Sequence, residues 1–130
     1  MDNGSETYSI LNLIQKLLDA IAYKDWDTYL ELTDEKLTCI EPETGNCLCE
    51  GLEFHKTYFD MPFDENIIIK ENILQPVTKV IGDVSVICYK RVTQIVNKRD
   101  KSAVSRVSGE TRVWRRIDNS WKMIHFHRSV

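Results

Sequence analysis

Residues 66–83 read NIIIKENILQPVTKVIGD, and how this stretch is read decides the fold. Upstream of it apolar residues recur with the period of a helix. From Ile67 onward β-branched residues alternate with polar ones, the period of a strand with one face covered. The same texture returns in VSVICYKRVTQIV (84–96), VSGETRVWRRI (107–117) and WKMIHFH (121–127), which makes a run of long strands. The charged segment Asn97–Ser102 connects two of them, and Asp118–Ser120 is a tight turn between the last two.

Working back toward the N-terminus, Ile10, Leu11, Ile14, Leu17, Leu18 and Ile21 fall on one face of a helix over about residues 7–23, with Asn12, Gln15, Lys16 and Asp19 opposite. Asp25 caps a second, shorter helix that presents Trp26, Tyr29 and Leu30 on one side. A strand over residues 37–41 ends at Pro42 and Gly45. Gly51 precedes a third helix, from Leu52 to about Asp60, on which Leu52, His55 and Phe59 share a face. Helices first and strands afterwards imply an α+β fold, with the helices on one face of a curved antiparallel sheet.

At 130 residues the chain suits one domain over 1–130, since two cores of half that size would bury too little apolar surface. A composition 42% hydrophobic and 28% charged is that of a folded globular chain, not a disordered one. The formal charge of −3 argues against nucleic acid as a partner, because no basic stripe exists to neutralise phosphates. No apolar run is long enough to span a membrane, and the polar first residues carry no signal-peptide core. The 4 cysteines match neither paired zinc hooks nor a disulfide scaffold and read as free thiols, so a reducing cytoplasmic location is expected.

Three arginines break the alternation. In the strand 84–96, Arg91 shares its parity with Ser85, Ile87, Tyr89, Thr93 and Ile95; in ETRVW (110–114), Arg112 shares a face with Trp114; in the last strand, Arg128 follows Lys122, Ile124 and Phe126. If the turn pairs Ile117 with Trp121, then Trp114 lies opposite Ile124 and Arg112 opposite Phe126, so that Arg112 and Arg128 share a face. A guanidinium among apolar neighbours needs a carboxylate or several acceptors. Two readings answer that need: internal ion pairs with Glu41, Glu43 or Glu110, or a concave cavity in which the arginines bind a small carboxylate.

The motifs EPETGN (41–46), EGLEFHKTYF (50–59), KRVTQ (90–94), GETRVWRR (109–116) and HFHRS (125–129), in this order and spacing, resemble the association, or hub, domain of calcium/calmodulin-dependent protein kinase II over about residues 6–129. The resemblance implies a nuclear transport factor 2-like cone, a long N-terminal helix packed on a strongly curved sheet. It implies self-association into stacked rings of about 12–14 or more subunits, with related kinase hub domains as further partners. It also implies that Arg91, Arg112 and Arg128 line a cavity for small acids resembling hydroxybutyrate, walled by His55 and Tyr29. Two departures are Phe63, where the family often has a tryptophan, and Pro62 beside it.

No glycine-rich nucleotide loop, HRD or DFG motif occurs, so the chain reads as a hub, excised or free-standing, and not as an enzyme. No catalytic residue, cofactor or metal is expected of it. The competing reading is a small-molecule enzyme of the same cone fold, isomerase- or dehydratase-like, in which His55 with Tyr29 or Glu41 supplies acid–base chemistry. His125 and His127 have a spacing compatible with a metal, but the sequence offers them no third ligand.

Overall fold

The computed structural model describes the backbone of residues 3–129 and the side chains of residues 9–129; the ends of the domain as read from the sequence, Met1, Asp2 and Val130, lie outside the described residues. Helix α1 (Asn3–Ala22) buries Ile10, Ile14, Leu17 and Leu18, the stripe that the helical spacing selects, and lies against the sheet. Helix α2 (Trp26–Leu32) starts where the Asp25 carboxylate accepts the Thr28 N–H at 3.2 Å, satisfying an otherwise orphaned donor of the first turn. Its inward face carries Tyr29 and Leu32, while Leu30 is 39% exposed, which corrects the expected face by one step around the helix. Trp26 stacks on Tyr29 and tilts against Phe59 of α3 (Glu53–Phe59), with ring centroids 5.6 and 5.1 Å apart.

Six strands form one sheet in the order β2-β1-β6-β5-β4-β3, where β1 is Thr33–Ile40, β2 Cys49–Glu50, β3 Ile67–Ile81, β4 Val84–Asn97, β5 Ala103–Ile117 and β6 Ser120–Ser129. The sheet is mixed, not wholly antiparallel: β1 runs parallel to β6. No hairpin joins those two; β1 is fed directly by α2, so the helix sets its direction. Strand β1 also starts at Thr33, four residues before the sequence expectation, because Asp34, Glu35 and Lys36 continue the extended backbone at the surface.

Three register shifts interrupt the sheet, the first between β1 and β6 at Thr33/Thr38. In β3 the pairing with β4 shifts between Leu74 and Val77, where Gln75 has a φ of 53° and Pro76 has no N–H to give the ladder. Between β5 and β6 the shift lies at Val113/Trp114. The turn is tighter than expected, pairing Ile117 with Ser120, so Trp114 lies opposite Met123 and not Ile124. One extra residue on β6, Ile124, then restores the anticipated pairing of Arg112 with Phe126. Both Met123 and Phe126 therefore face inward, and Arg112 and Trp114 are buried on one face as the alternation requires.

The inward face of the sheet and the helices enclose the core, with Leu37, Ile87, Tyr89, Trp114 and Met123 at its centre. The opposite face of β3, β4 and β5 presents Ile68, Leu74, Val77, Val84, Val96 and Val107, each exposed in the single chain. Among the described residues no helix is long and apolar enough to cross a membrane.

Candidate functional site

A cavity of about 710 Å³ opens between the inward face of the sheet and α3, and its lining includes all five residues singled out from the sequence, Tyr29, His55, Arg91, Arg112 and Arg128, together with Glu41. Strand alternation delivers the arginines: Arg91 follows Tyr89 on β4, Arg112 lies two residues before Trp114 on β5, and Arg128 pairs with Glu110 across β5–β6. The helices deliver Tyr29 and His55 from the other side.

At the floor of the cavity the arginines are answered by acids. Arg91 donates to both carboxylate oxygens of Glu71, from Nε at 3.0 Å and Nη2 at 2.9 Å, and from Nη1 to Glu110 at 2.9 Å. Arg112 donates from Nη2 to Glu110 at 3.1 Å and from Nε to the Tyr89 hydroxyl at 2.8 Å, while its guanidinium lies over the Phe126 ring at 3.9 Å. The Tyr89 hydroxyl in turn donates to Glu110. Two cations and two carboxylates thus balance in a nearly dry place, the condition under which buried charges persist. Glu71 and Tyr89 were not picked out as partners from the sequence. The signal for Glu71 was present, since it is an acid on the same parity as Ile69 and Ile73.

Arg128 pairs with the exposed Glu43 at the rim, and Glu41 answers to His55 instead of to an arginine. The Tyr29 hydroxyl is 2.6 Å from His55 Nδ1, and His55 Nε2 is 3.1 Å from the Glu41 carboxylate. Burial pushes the Tyr29 phenol well above its ordinary value, so it keeps its proton. Burial also raises Glu41, but the His55 imidazole and the Arg128 charge outweigh it and hold the carboxyl below the ordinary range. Beside the cavity the loop carrying Pro62 and Phe63 is held by Lys24, whose Nζ donates to the carbonyls of Met61 and Pro62 at 2.9 and 3.2 Å. The Phe63 ring lies 6.0 Å from that of Tyr23.

His125 and His127 lie on the outward face of β6, away from the cavity; His125 Nδ1 is 2.7 Å from the Thr38 hydroxyl. Cys47 sits in the loop before β2, and Cys49 opens that strand.

The charge balance of the floor makes a prediction about acid. Burial raises the Glu110 carboxyl, but Arg112 and Arg91 beside it win and bring it from 4.5 down to about 2. A folded-state value below the unfolded one gives stability that is fully present above about pH 5 and is lost as the pH falls toward about 2, roughly 3 kcal/mol in all. The melting temperature should fall steeply over that window, and Glu110→Gln should flatten the dependence. A wild-type curve without that fall would refute the assignment.

Comparison with known proteins bears on the whole chain. Residues 6–130 match the family described as the calcium/calmodulin dependent protein kinase II association domain. The chain is 40% identical over 133 residues to calcium/calmodulin-dependent protein kinase type II of Caenorhabditis briggsae, a match that covers 99% of this chain and 24% of that protein. It therefore spans about a quarter of the length of such curated relatives. Of solved structures, the association domain of the C. elegans kinase superposes with a TM-score of 0.89 at 38% identity, covering 98% of this chain and 97% of the other. The kinase hub homology domain of Chlamydamonas reinhardtii superposes at 0.88 with 35% identity, covering 96% and 98%. Structures at 19% and 18% identity described as nuclear transport factor 2-like share the fold alone, with TM-scores of 0.76 and 0.72. On the strength of the match over nearly every residue, the chain belongs to the calcium/calmodulin-dependent protein kinase II association-domain family and has the nuclear transport factor 2-like fold.

Proposed function

We propose that residues 1–130 form a single association domain, its core over about residues 6–129, that works without catalysis as an oligomerisation hub in the cytoplasm and closes into stacked rings of about 12–14 or more copies. Related kinase hub domains are its further partners. The observation that carries this reading is the row of exposed apolar side chains on the outward face of β3, β4 and β5, a face that a chain of this size leaves open to water. Packing such faces in pairs makes a large apolar contact, and smaller lateral contacts then set the number of copies. Native mass spectrometry should find a large closed species, on the order of ten chains or more. A mass that stays at one or two chains across micromolar concentrations would overturn the reading.

The cavity suits a small carboxylate, with Arg91, Arg112 and Arg128 as its cations and His55 and Tyr29 as its walls. A guanidinium has five N–H groups, and the bonds to Glu71 and Glu110, to Tyr89 and to the Met123 sulfur engage three on each of Arg91 and Arg112. Arg128, paired at the rim with an exposed acid, is the cation most easily redirected to a ligand. A short hydroxy acid at a hundred times its Kd should stabilise each chain by about 2.7 kcal/mol, raising the melting temperature by on the order of 10 °C. Arg128→Gln should remove that rise and leave the unliganded melting point within a degree or two. A flat wild-type titration to tens of millimolar would exclude the carboxylate.

The Tyr29–His55–Glu41 chain also supports the second reading, a small isomerase or dehydratase, since acid–base catalysis needs such a relay beside a cavity. The assembly measurement separates the two, because the enzyme has no need of a ring.

A further inference from the structure

Cys39, Glu41 and His55 come from three places, the end of β1, the residue just after it, and α3, yet their Sγ, carboxylate oxygen and imidazole nitrogen all lie within 4.8 Å of one another. Cys39 and Glu41 are buried, and His55 is nearly so. We propose that these three side chains form a binding site for one zinc ion, seated where the back of the cavity meets the core. The site goes beyond the hub reading and does not depend on it.

Four observations carry the assignment. The spacing is right: around a tetrahedral zinc with bonds of 2.0–2.3 Å, neighbouring ligand atoms are about 3.3–3.6 Å apart, and His55 Nε2 already lies 3.1 Å from Glu41 Oε2. The Cys39 Sγ lies within 4.8 Å of both. The donor set, one thiolate, one imidazole and one carboxylate, is the mixture that a borderline-soft ion with no geometric demand of its own accepts.

The third observation is the orientation of the imidazole. A zinc-bound histidine ordinarily donates its other N–H to a fixed oxygen, which sets the ring and its tautomer. Here the Tyr29 hydroxyl stands 2.6 Å from Nδ1, and Tyr29 packs in one aromatic cluster with Trp26 and Phe59. With the proton on Nδ1 and directed at the Tyr29 oxygen, the Nε2 lone pair points toward Glu41 and Cys39. The fourth observation is charge. A thiolate and a carboxylate together neutralise a divalent cation, so the loaded site introduces no net charge into the protein interior.

Access comes from the cavity, which Glu41 and His55 line while Cys39 stands behind them. The fourth tetrahedral position then faces the cavity and takes a water or an oxygen of a small ligand. Two bonds to hydrogen break as the ion enters: the Cys39 proton leaves to solvent as an S–Zn bond forms, and the His55 proton that Nε2 directs at the Glu41 carboxylate in the free site passes through solvent to Nδ1, the Tyr29 hydroxyl turning from donor to acceptor, with no electron transferred.

The test uses the full chain with the exposed Cys47 and Cys88 replaced by serine, kept reduced and stripped with a chelator. Zinc is then titrated in competition with a chromophoric chelator, and cobalt(II) serves as the spectroscopic probe. One zinc per chain is expected, and with cobalt a near-ultraviolet thiolate-to-metal absorption. Cys39→Ala should weaken binding at least 100-fold and abolish that absorption, and His55→Gln should weaken binding comparably while retaining a thiolate band. Tyr29→Phe should retain the band and lose about 10–100-fold in affinity, the loss typical of an outer-shell partner. Wild-type protein without stoichiometric zinc would overturn the site. So would unchanged affinity in both Cys39→Ala and His55→Gln, which would place the ion elsewhere, His125 and His127 included. If Cys39→Ala does not fold, His55→Gln decides alone, because its side chain is replaced by a polar one of similar reach beside the open cavity.

Discussion

Replacing Glu110 by glutamine should cost about 3–5 kcal/mol of folding stability, the loss expected when one partner of a buried ion pair is removed. Glu110 is fully buried and accepts from Arg91, Arg112 and Tyr89 at once. Without its charge Arg91 keeps Glu71, but Arg112 is left as a cation 1% exposed with no carboxylate. Arginine cannot give up its proton to escape that position. The double change Glu110→Gln with Arg112→Gln removes the stranded charge together with its partner, so it should cost less than the sum of the single changes. Glu43→Gln, which breaks the rim pair with Arg128, should cost under about 1 kcal/mol because Glu43 is half open to water. Urea unfolding at fixed protein concentration measures all four. A Glu110→Gln penalty no larger than that of Glu43→Gln would mean that the floor of the cavity does not hold the fold together.

Val107→Glu should reduce the assembled mass from a ring to one or two chains, about tenfold, while the chain itself stays folded. Val107 is 58% exposed on the outward face of β5, beside Val92 of β4, so a carboxylate there remains hydrated within a single chain. Once two such faces meet, the same carboxylate is trapped among valines and isoleucines without a partner, and an unpaired buried charge costs several kcal/mol at every copy of the contact. Lys98→Gln, in the turn between β4 and β5, makes the same one-unit change of charge away from that face and should leave the mass alone. Light scattering with circular dichroism reads both properties. A Val107→Glu protein of full ring mass would move the subunit contact off the outward face.

The alternation of β4 and β5 was enough to single out Arg91 and Arg112, because a permanent charge in an apolar row stands out against its neighbours. It offered Glu110 among their partners, which the structure pairs with both, but not Glu71 or Tyr89. Glu71 lies twenty residues from Arg91 on another strand, and only the β3–β4 register brings them together. The bulge at Ile124 was silent, since neither glycine nor proline marks it; the error in the turn and the error in the bulge cancelled, so Arg112 was matched to Phe126 by an incomplete account. The start of β1 was missed because Asp34-Glu35-Lys36 look like a loop to any reading based on hydropathy. The sequence pairs His55 with Glu41 only as an acid–base possibility, and nothing in the spacing of Cys39, Glu41 and His55 along the chain announces that helix α3 folds back over the end of β1.

The break in β3 at Gln75-Pro76 bears on how copies avoid joining in the wrong way. Strand β3 is the last strand of the sheet on its side, fifteen residues long, and carries apolar side chains: the description of an edge on which another chain could build a continuous cross-strand ribbon. Proline there supplies no amide hydrogen, and the kink beside it turns the backbone out of line with any would-be partner. Straightening the edge, by Pro76→Val with the bulge removed, should therefore favour insoluble fibres over any closed particle. The irregularity that bends the sheet also acts as a stopper against runaway polymerisation.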